Sequence, residues 1–203
     1  MIPWRQQVSI LHTCLENIQT TNAMQLKQAP DALFAELRAE IKRLKISRGT
    51  VFFIGNGASA SMSSHMQADF AKNGHVHTET FTDLSLLTAI ANDIGYEHIF
   101  AYPLKNSGKK GDLLVAISSS GQSDNILNGV RTAKDLGMTV CTLSGMQPNN
   151  PLRQLGDLNI YVPSDAYGVI ETAHATILHY WMDLISPSPA AYIQPVQPQT
   201  QAN

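Results

Sequence analysis

The chain has 203 residues, enough for one compact domain with short appendages, and 43% of them are hydrophobic, enough for a substantial core. A formal net charge of -2 gives no general attraction to nucleic acid or to an anionic membrane, and no apolar run approaches the roughly 20 residues that span a bilayer. Cys14 and Cys141 are too few for a disulfide framework or a thiolate metal site, and the early VSIL run is too short for a signal peptide, so a cytoplasmic protein is expected.

Apolar residues at helical spacing predict helices over 3–22 (Val8, Leu11, Leu15, Ile18) and 31–47 (Leu33, Leu37, Ile41, Leu44), separated by QAPD with Asp31 as a cap. The basic run KRLKISR, Lys42 to Arg48, falls where the second helix ends, and cations there complement the helix dipole without implying a nucleic-acid patch. From Thr50 onward β-rich apolar runs alternate with helical ones. Strands are predicted at 50–54, 78–81, 112–118, 139–143 and 158–162, and helices at 59–72, 84–91, 124–136, 151–155 and 169–185. Continuous apolar strands joined by helices predict an α/β fold: a doubly wound, five-stranded parallel sheet with helices on both faces, preceded by N-terminal helices. Such sheets bind ligands at the carboxyl ends of their strands. The expected organisation is N-terminal helices over 1–48, the α/β domain over 49–185, and a disordered tail over 186–203, which is rich in Pro and Gln and has no charged side chain.

Two loops concentrate the polar chemistry. GNGASA, Gly55 to Ala60, fits a dinucleotide fingerprint at a strand-to-helix turn, and Glu79 lies near the distance of a ribose-binding acid. ISSSGQSDN, Ile117 to Asn125, places Ser118, Ser119, Ser120 and Ser123 before a helix whose first amides are unpaired, a donor set suited to phosphate. The plainer alternative is that Ser123 caps the helix and the other serines fill a turn, but three consecutive serines are more than a cap needs. A dinucleotide protein binds its pyrophosphate at the glycine loop and has no need of a second, serine-rich anion site, so the phosphate reading is favoured. His65 and Asp69 are spaced i, i+4, and GVIETAHATILHYWMD places Glu171, His174 and His179 on one helix. Each histidine alone is more often an ordinary core or surface residue, whereas the pairs together suit general acid–base chemistry or a divalent ion such as zinc.

The segments GNGASASMSSHMQAD, LLTAIANDIGYEHIF, GDLLVAISSSGQSDNILNGVRTAKDLGMTV and IETAHATILHYWMDLI, in this order over residues 33 to 185, resemble the sugar isomerase (SIS) family of flavodoxin-like fold. They are similar in particular to phosphoheptose isomerases, which convert sedoheptulose 7-phosphate into a heptose 7-phosphate. The resemblance implies that Ser118, Ser119, Ser120 and Ser123 hold the sugar phosphate, and that Asn56, Gly57, Ser59 and Asp93 contact the sugar. It implies zinc at His65, Asp69, Glu171 and His179, with Asp69 and His179 as the catalytic acid and base, and a homotetramer as the assembly. Asp69 and Glu171 stand where the family has glutamate and glutamine, and Ala58 where it has a glycine. A non-catalytic SIS module that binds a phosphosugar or a partner protein, as the replication-initiator-associating relatives do, is the alternative.

Overall fold

A computed structural model describes residues 2–186; most of the predicted tail lies outside the described residues. The chain enters through α1 (Trp4–Glu16), which is shorter than the 3–22 predicted. Asn17 closes it, with its side-chain amide donating to the Thr13 carbonyl at 2.8 Å. The residues beyond, QTTN, form β1 (Gln19–Asn22) because Thr20 and Thr21 bury against an edge strand, a tertiary pairing that outweighs the helical spacing of Ile18. A tight turn, in which Asn22 Oδ1 accepts from the Met24 and Leu26 amides, leads to the short β2 (Lys27–Gln28). A hairpin therefore stands between the two N-terminal helices.

Helix α2 (Pro30–Ser47) starts with Pro30, which needs no amide partner there; Asp31 sits in its first turn, favourable to the dipole, while Ala29 holds the cap position. Arg48, left-handed at φ 54°, ends it. Its stripe Leu33, Leu37, Ile41 and Leu44 is buried in this chain's own core. The α/β succession follows: β3 (Thr50–Gly55), α3 (Ala58–Lys72), β4 (His77–Thr80), α4 (Leu84–Asp93), a 3-10 turn (Tyr96–His98) and α5 (Ala101–Ser107). It continues with β5 (Leu113–Ser118), α6 (Asp124–Asp135), β6 (Thr139–Ser144), α7 (Pro151–Leu155), β7 (Leu158–Tyr161) and α8 (Tyr167–Ile185).

The five predicted strands are all parallel, and the N-terminal hairpin extends them to seven in the order β2-β1-β7-β6-β5-β3-β4. The hairpin covers the β7 edge, whose unpaired backbone would otherwise invite another strand. Alternate residues of β3 feed two cores. Val51 and Phe53 pack with α1, α2, α3 and α8, whereas Phe52 and Ile54 pack with α4 to α7. Strand order reverses between β3 and β5, so the loops after these strands diverge to opposite faces and leave a crevice at their carboxyl ends.

Candidate active site

Both polar loops open into that crevice. A cleft of about 270 Å³ is lined by Asn56, Gly57, Ala58 and Ser59 from the first loop, Ser118, Ser119, Ser120 and Ser123 from the second, and Tyr167 and Glu171 from α8. Gly57 is left-handed at φ 55°, and a side chain on Gly55 would meet the Ser59 backbone at 2.6 Å, so this turn needs its glycines. Ala58, in contrast, begins α3 without a positive φ, and its methyl costs the turn nothing.

The serine loop is built to present hydroxyl hydrogens. Ser118 Oγ accepts from the Gly121 amide at 3.2 Å and Ser120 Oγ from the Gln122 amide at 3.3 Å, which leaves the Ser120 O–H able to donate outward, while the Ser118 and Ser123 hydroxyls lie 3.5 Å apart and share a hydrogen that either can donate. Ser123 occupies the cap position of α6 but makes no side-chain cap bond, contrary to the cap alternative. Glu171 is the one charged side chain among the residues lining the cleft, so an anion there would be met by neutral donors and the start of α6.

Beside the cleft, α3 and α8 bring three potential ligands together. His65 Nε2 lies 3.4 Å and His179 Nδ1 4.0 Å from Asp69 Oδ2, and one donor atom from each residue falls within 4.8 Å of the others. The histidine side chains are about half exposed and Asp69 is 25% exposed. Two imidazoles and a carboxylate are a suitable donor set for a divalent ion, and their exposure leaves room for a further ligand. Glu171 is not in this triad; it faces the cleft.

His174, on the same helix, points into the core at 1% exposure, where Nε2 meets the Ser144 carbonyl at 3.3 Å and Nδ1 has no partner among the described residues. Burial depresses its pKa from 6.5 to about 4. The folded state therefore requires neutral His174, and the unfolded chain takes up the proton first as pH falls. Stability is complete above about pH 6.5 and declines towards pH 4, by an amount on the order of 3 kcal/mol in the limit. Urea titrations in chelator should show this decline in the parent protein and a smaller one in His174→Leu; equal slopes would refute it.

Two further placements differ from the sequence reading. Asp93 ends α4 exposed, accepting from the Asn92 side chain at 2.8 Å, and does not line the cleft. Tyr96 reaches the loop instead, with its hydroxyl 3.3 Å from Asn56 Oδ1. Tyr167, four residues before Glu171 and so on its face, was legible by helical spacing once the cleft was assigned.

This arrangement, with loops after β3 and β5 meeting at the switch point of a flavodoxin-like sheet, is that of a sugar isomerase domain, and the SIS domain family matches the chain over residues 8–145. The chain belongs to that family and, within it, to the phosphoheptose isomerases. Over 145 residues it is 38% identical to the phosphoheptose isomerase of Helicobacter pylori strain P12, covering 68% of this chain and 75% of that one. Over 179 residues it is 34% identical to the enzyme of Coxiella burnetii strain Dugway 5J108-111, covering 84% and 88%. The structure of phosphoheptose isomerase from Neisseria gonorrhoeae superposes with a TM-score of 0.77 at 25% identity, covering 89% of this chain and 95% of that one.

Proposed function

We propose that the protein interconverts sedoheptulose 7-phosphate and an aldoheptose 7-phosphate through an enediol, with zinc held by His65, Asp69 and His179. One observation carries this reading: α3 and α8 each serve both sites, through Ser59 and Glu171 at the cleft and through His65, Asp69 and His179 at the triad. Six residues separate Ser59 from His65 and eight separate Glu171 from His179, about 9 and 12 Å along the helices. A phosphate at the serine loop would thus have its sugar chain extending towards the acid–base groups, an arrangement suited to a long sugar.

The chemistry moves one proton between adjacent carbons. A base takes a proton from C1 of the ketose, the C1–C2 enediol forms as the carbonyl oxygen is protonated, and a proton is returned to C2 as O1 becomes the aldehyde oxygen. Asp69 and His179 are the proposed pair. Asp69 has Oδ2 towards the histidines and Oδ1 towards Asn73, so one oxygen can carry a proton while the other stays in the triad. His179 turns Nδ1 to Asp69, and because a neutral imidazole has a single lone pair it would exchange the proton only while it is not coordinating the metal. Zinc in this triad would supply Lewis-acid polarisation of the two reacting oxygens. Glu171 meets the ligand from the cleft. Turnover in D₂O should place deuterium on C2 of the product, which a hydride shift from C1 cannot do; product still without deuterium after many reversible turnovers would count against proton transfer by these exposed groups.

Glu171 opposes the ligand's charge where the family's glutamine would not. In chelated protein at low salt, Glu171→Gln is expected to bind inorganic phosphate about threefold to tenfold more tightly. Calorimetry showing weaker binding would mean that Glu171 supports the site.

The protein is further proposed to form a cytoplasmic homotetramer. The α2 stripe gives no support, being buried within the chain, but Ile2, Trp4 and Val8 leave an apolar face exposed on and beside α1. Light scattering at micromolar concentration should return four times the chain mass of 22.2 kDa; a monomer would refute the assembly. Among the described residues, no helix is long and apolar enough to cross a membrane.

A further inference from the structure

The two loops of the cleft are tied together by a pair of amides. Asn56 Nδ2 donates to Asn125 Oδ1 at 2.9 Å, and Asn125 Nδ2 donates to Asn56 Oδ1 at 2.8 Å. A backbone group fixes which atom is which. The Ile126 N–H, which can only donate, lies 2.9 Å from Asn125 Oδ1. That atom must be the oxygen, so its partner atom on Asn125 is the donor, and the Asn56 atom receiving it is an oxygen in turn. Tyr96 Oη stands 3.3 Å from the same Asn56 oxygen and adds a second donor to it. Both lone pairs of Asn56 Oδ1 are thereby engaged, and one Nδ2 hydrogen is committed to Asn125. A single N–H remains on Asn56, which lines the cleft. Asn125 itself is 2% exposed and does not line the cleft, so it reaches a ligand only through Asn56.

We propose that Asn125 is a positioning residue that, together with Tyr96, locks Asn56 as a donor, so that Asn56 binds an acceptor oxygen of the sugar chain of the bound phosphosugar. The proposal rests on the phosphosugar reading of the cleft. An unlocked Asn56 amide could flip and present its carbonyl, which would discriminate far less between a ketone or hydroxyl oxygen and a donor group.

The test is calorimetric titration of parent, Asn56→Ala, Asn125→Ala and the double variant with sedoheptulose 7-phosphate and, separately, with inorganic phosphate, after thermal melts confirm folding. Each single variant should bind the sugar phosphate roughly tenfold more weakly, keep its inorganic-phosphate affinity, and the double variant should be no weaker than Asn56→Ala. An unaltered Asn125→Ala, equal losses for both ligands, or a further tenfold loss in the double variant would overturn the proposal. If Asn125→Ala does not fold, Tyr96→Phe provides the same cycle: a loss of about threefold in the parent and none in Asn56→Ala, with equal losses in both backgrounds counting against it. Parent protein that binds inorganic phosphate but no sugar phosphate also overturns it. Sugar-phosphate binding with this pattern but no turnover would instead refute the isomerase reading and leave the positioning role standing.

Discussion

His179→Ala should lose its divalent metal and its turnover, the latter by about a thousandfold, while remaining folded. The half-exposed His179 ring stands 5.1 Å from the His65 ring, itself half exposed, and lies outside the hydrophobic core, so stability should change little. The loss would fall on chemistry, because one substitution removes both a donor of the triad and the proposed proton carrier, effects worth several kcal/mol together. His65→Ala should lose metal as well. His174→Ala is the informative contrast: it should weaken the fold through a core cavity yet retain metal, because His174 lies under the Ser144 carbonyl and outside the triad. Metal analysis of dialysed variants, with circular dichroism as the folding control, checks all three. Metal retained by His179→Ala and lost by His174→Ala would overturn the assignment.

The second large effect is expected at Gly121. This residue is left-handed at φ 64°, and a Cβ there would stand 2.0 Å from Asn150 Oδ1. Asn150 is 1% exposed and cannot yield without loss. Its Nδ2 donates to Ser144 Oγ and to the Gly145 and Gln147 carbonyls, and its Oδ1 accepts from the Arg153 amide at the start of α7. Gly121→Ala therefore combines backbone strain of about 1–2 kcal/mol with disruption of this buried network, for a total on the order of 3–5 kcal/mol. A domain of this size should melt roughly 10 °C lower. Phosphate affinity should fall too, because Ser118, Ser119 and Ser120 lead directly into Gly121 and the Leu152 amide ties Gly121's carbonyl to α7. A variant with an unaltered melting temperature and unaltered phosphate affinity would show that the loop does not depend on this turn.

These two sites differ in how far the sequence announced them. The parallel strands were legible because VFFI and LLVAI, within β3 and β5, are continuous apolar runs, as a sheet covered on both faces requires. Both polar loops were legible because glycine and serine after a strand have few purposes other than turns and anions. The N-terminal hairpin was not. QTTN has no strand pattern of its own, and only pairing with Leu158–Tyr161, nearly 140 residues away, makes it one. Helix α5 was hidden by Pro103, which normally breaks a helix but is tolerated here in the first turn. On α8, spacing alone left His174 and His179 both open as ligands, and burial separates them, with His174 in the core and His179 at the surface. Asn125 carried no signal, since an amide's partner 69 residues distant is a property of the folded crevice.

The resemblance sets Asp69, one methylene shorter, in the place of a glutamate and Glu171 in the place of an uncharged glutamine, so catalysis is the claim most exposed to test. Purified full-length protein, stripped with chelator and then reconstituted with zinc, should be offered sedoheptulose 7-phosphate and followed for aldoheptose 7-phosphate. The account predicts product with zinc and little or none without it. A protein that binds the sugar phosphate at the serine loop but forms no product in either state would contradict it and would identify a phosphosugar-binding module instead.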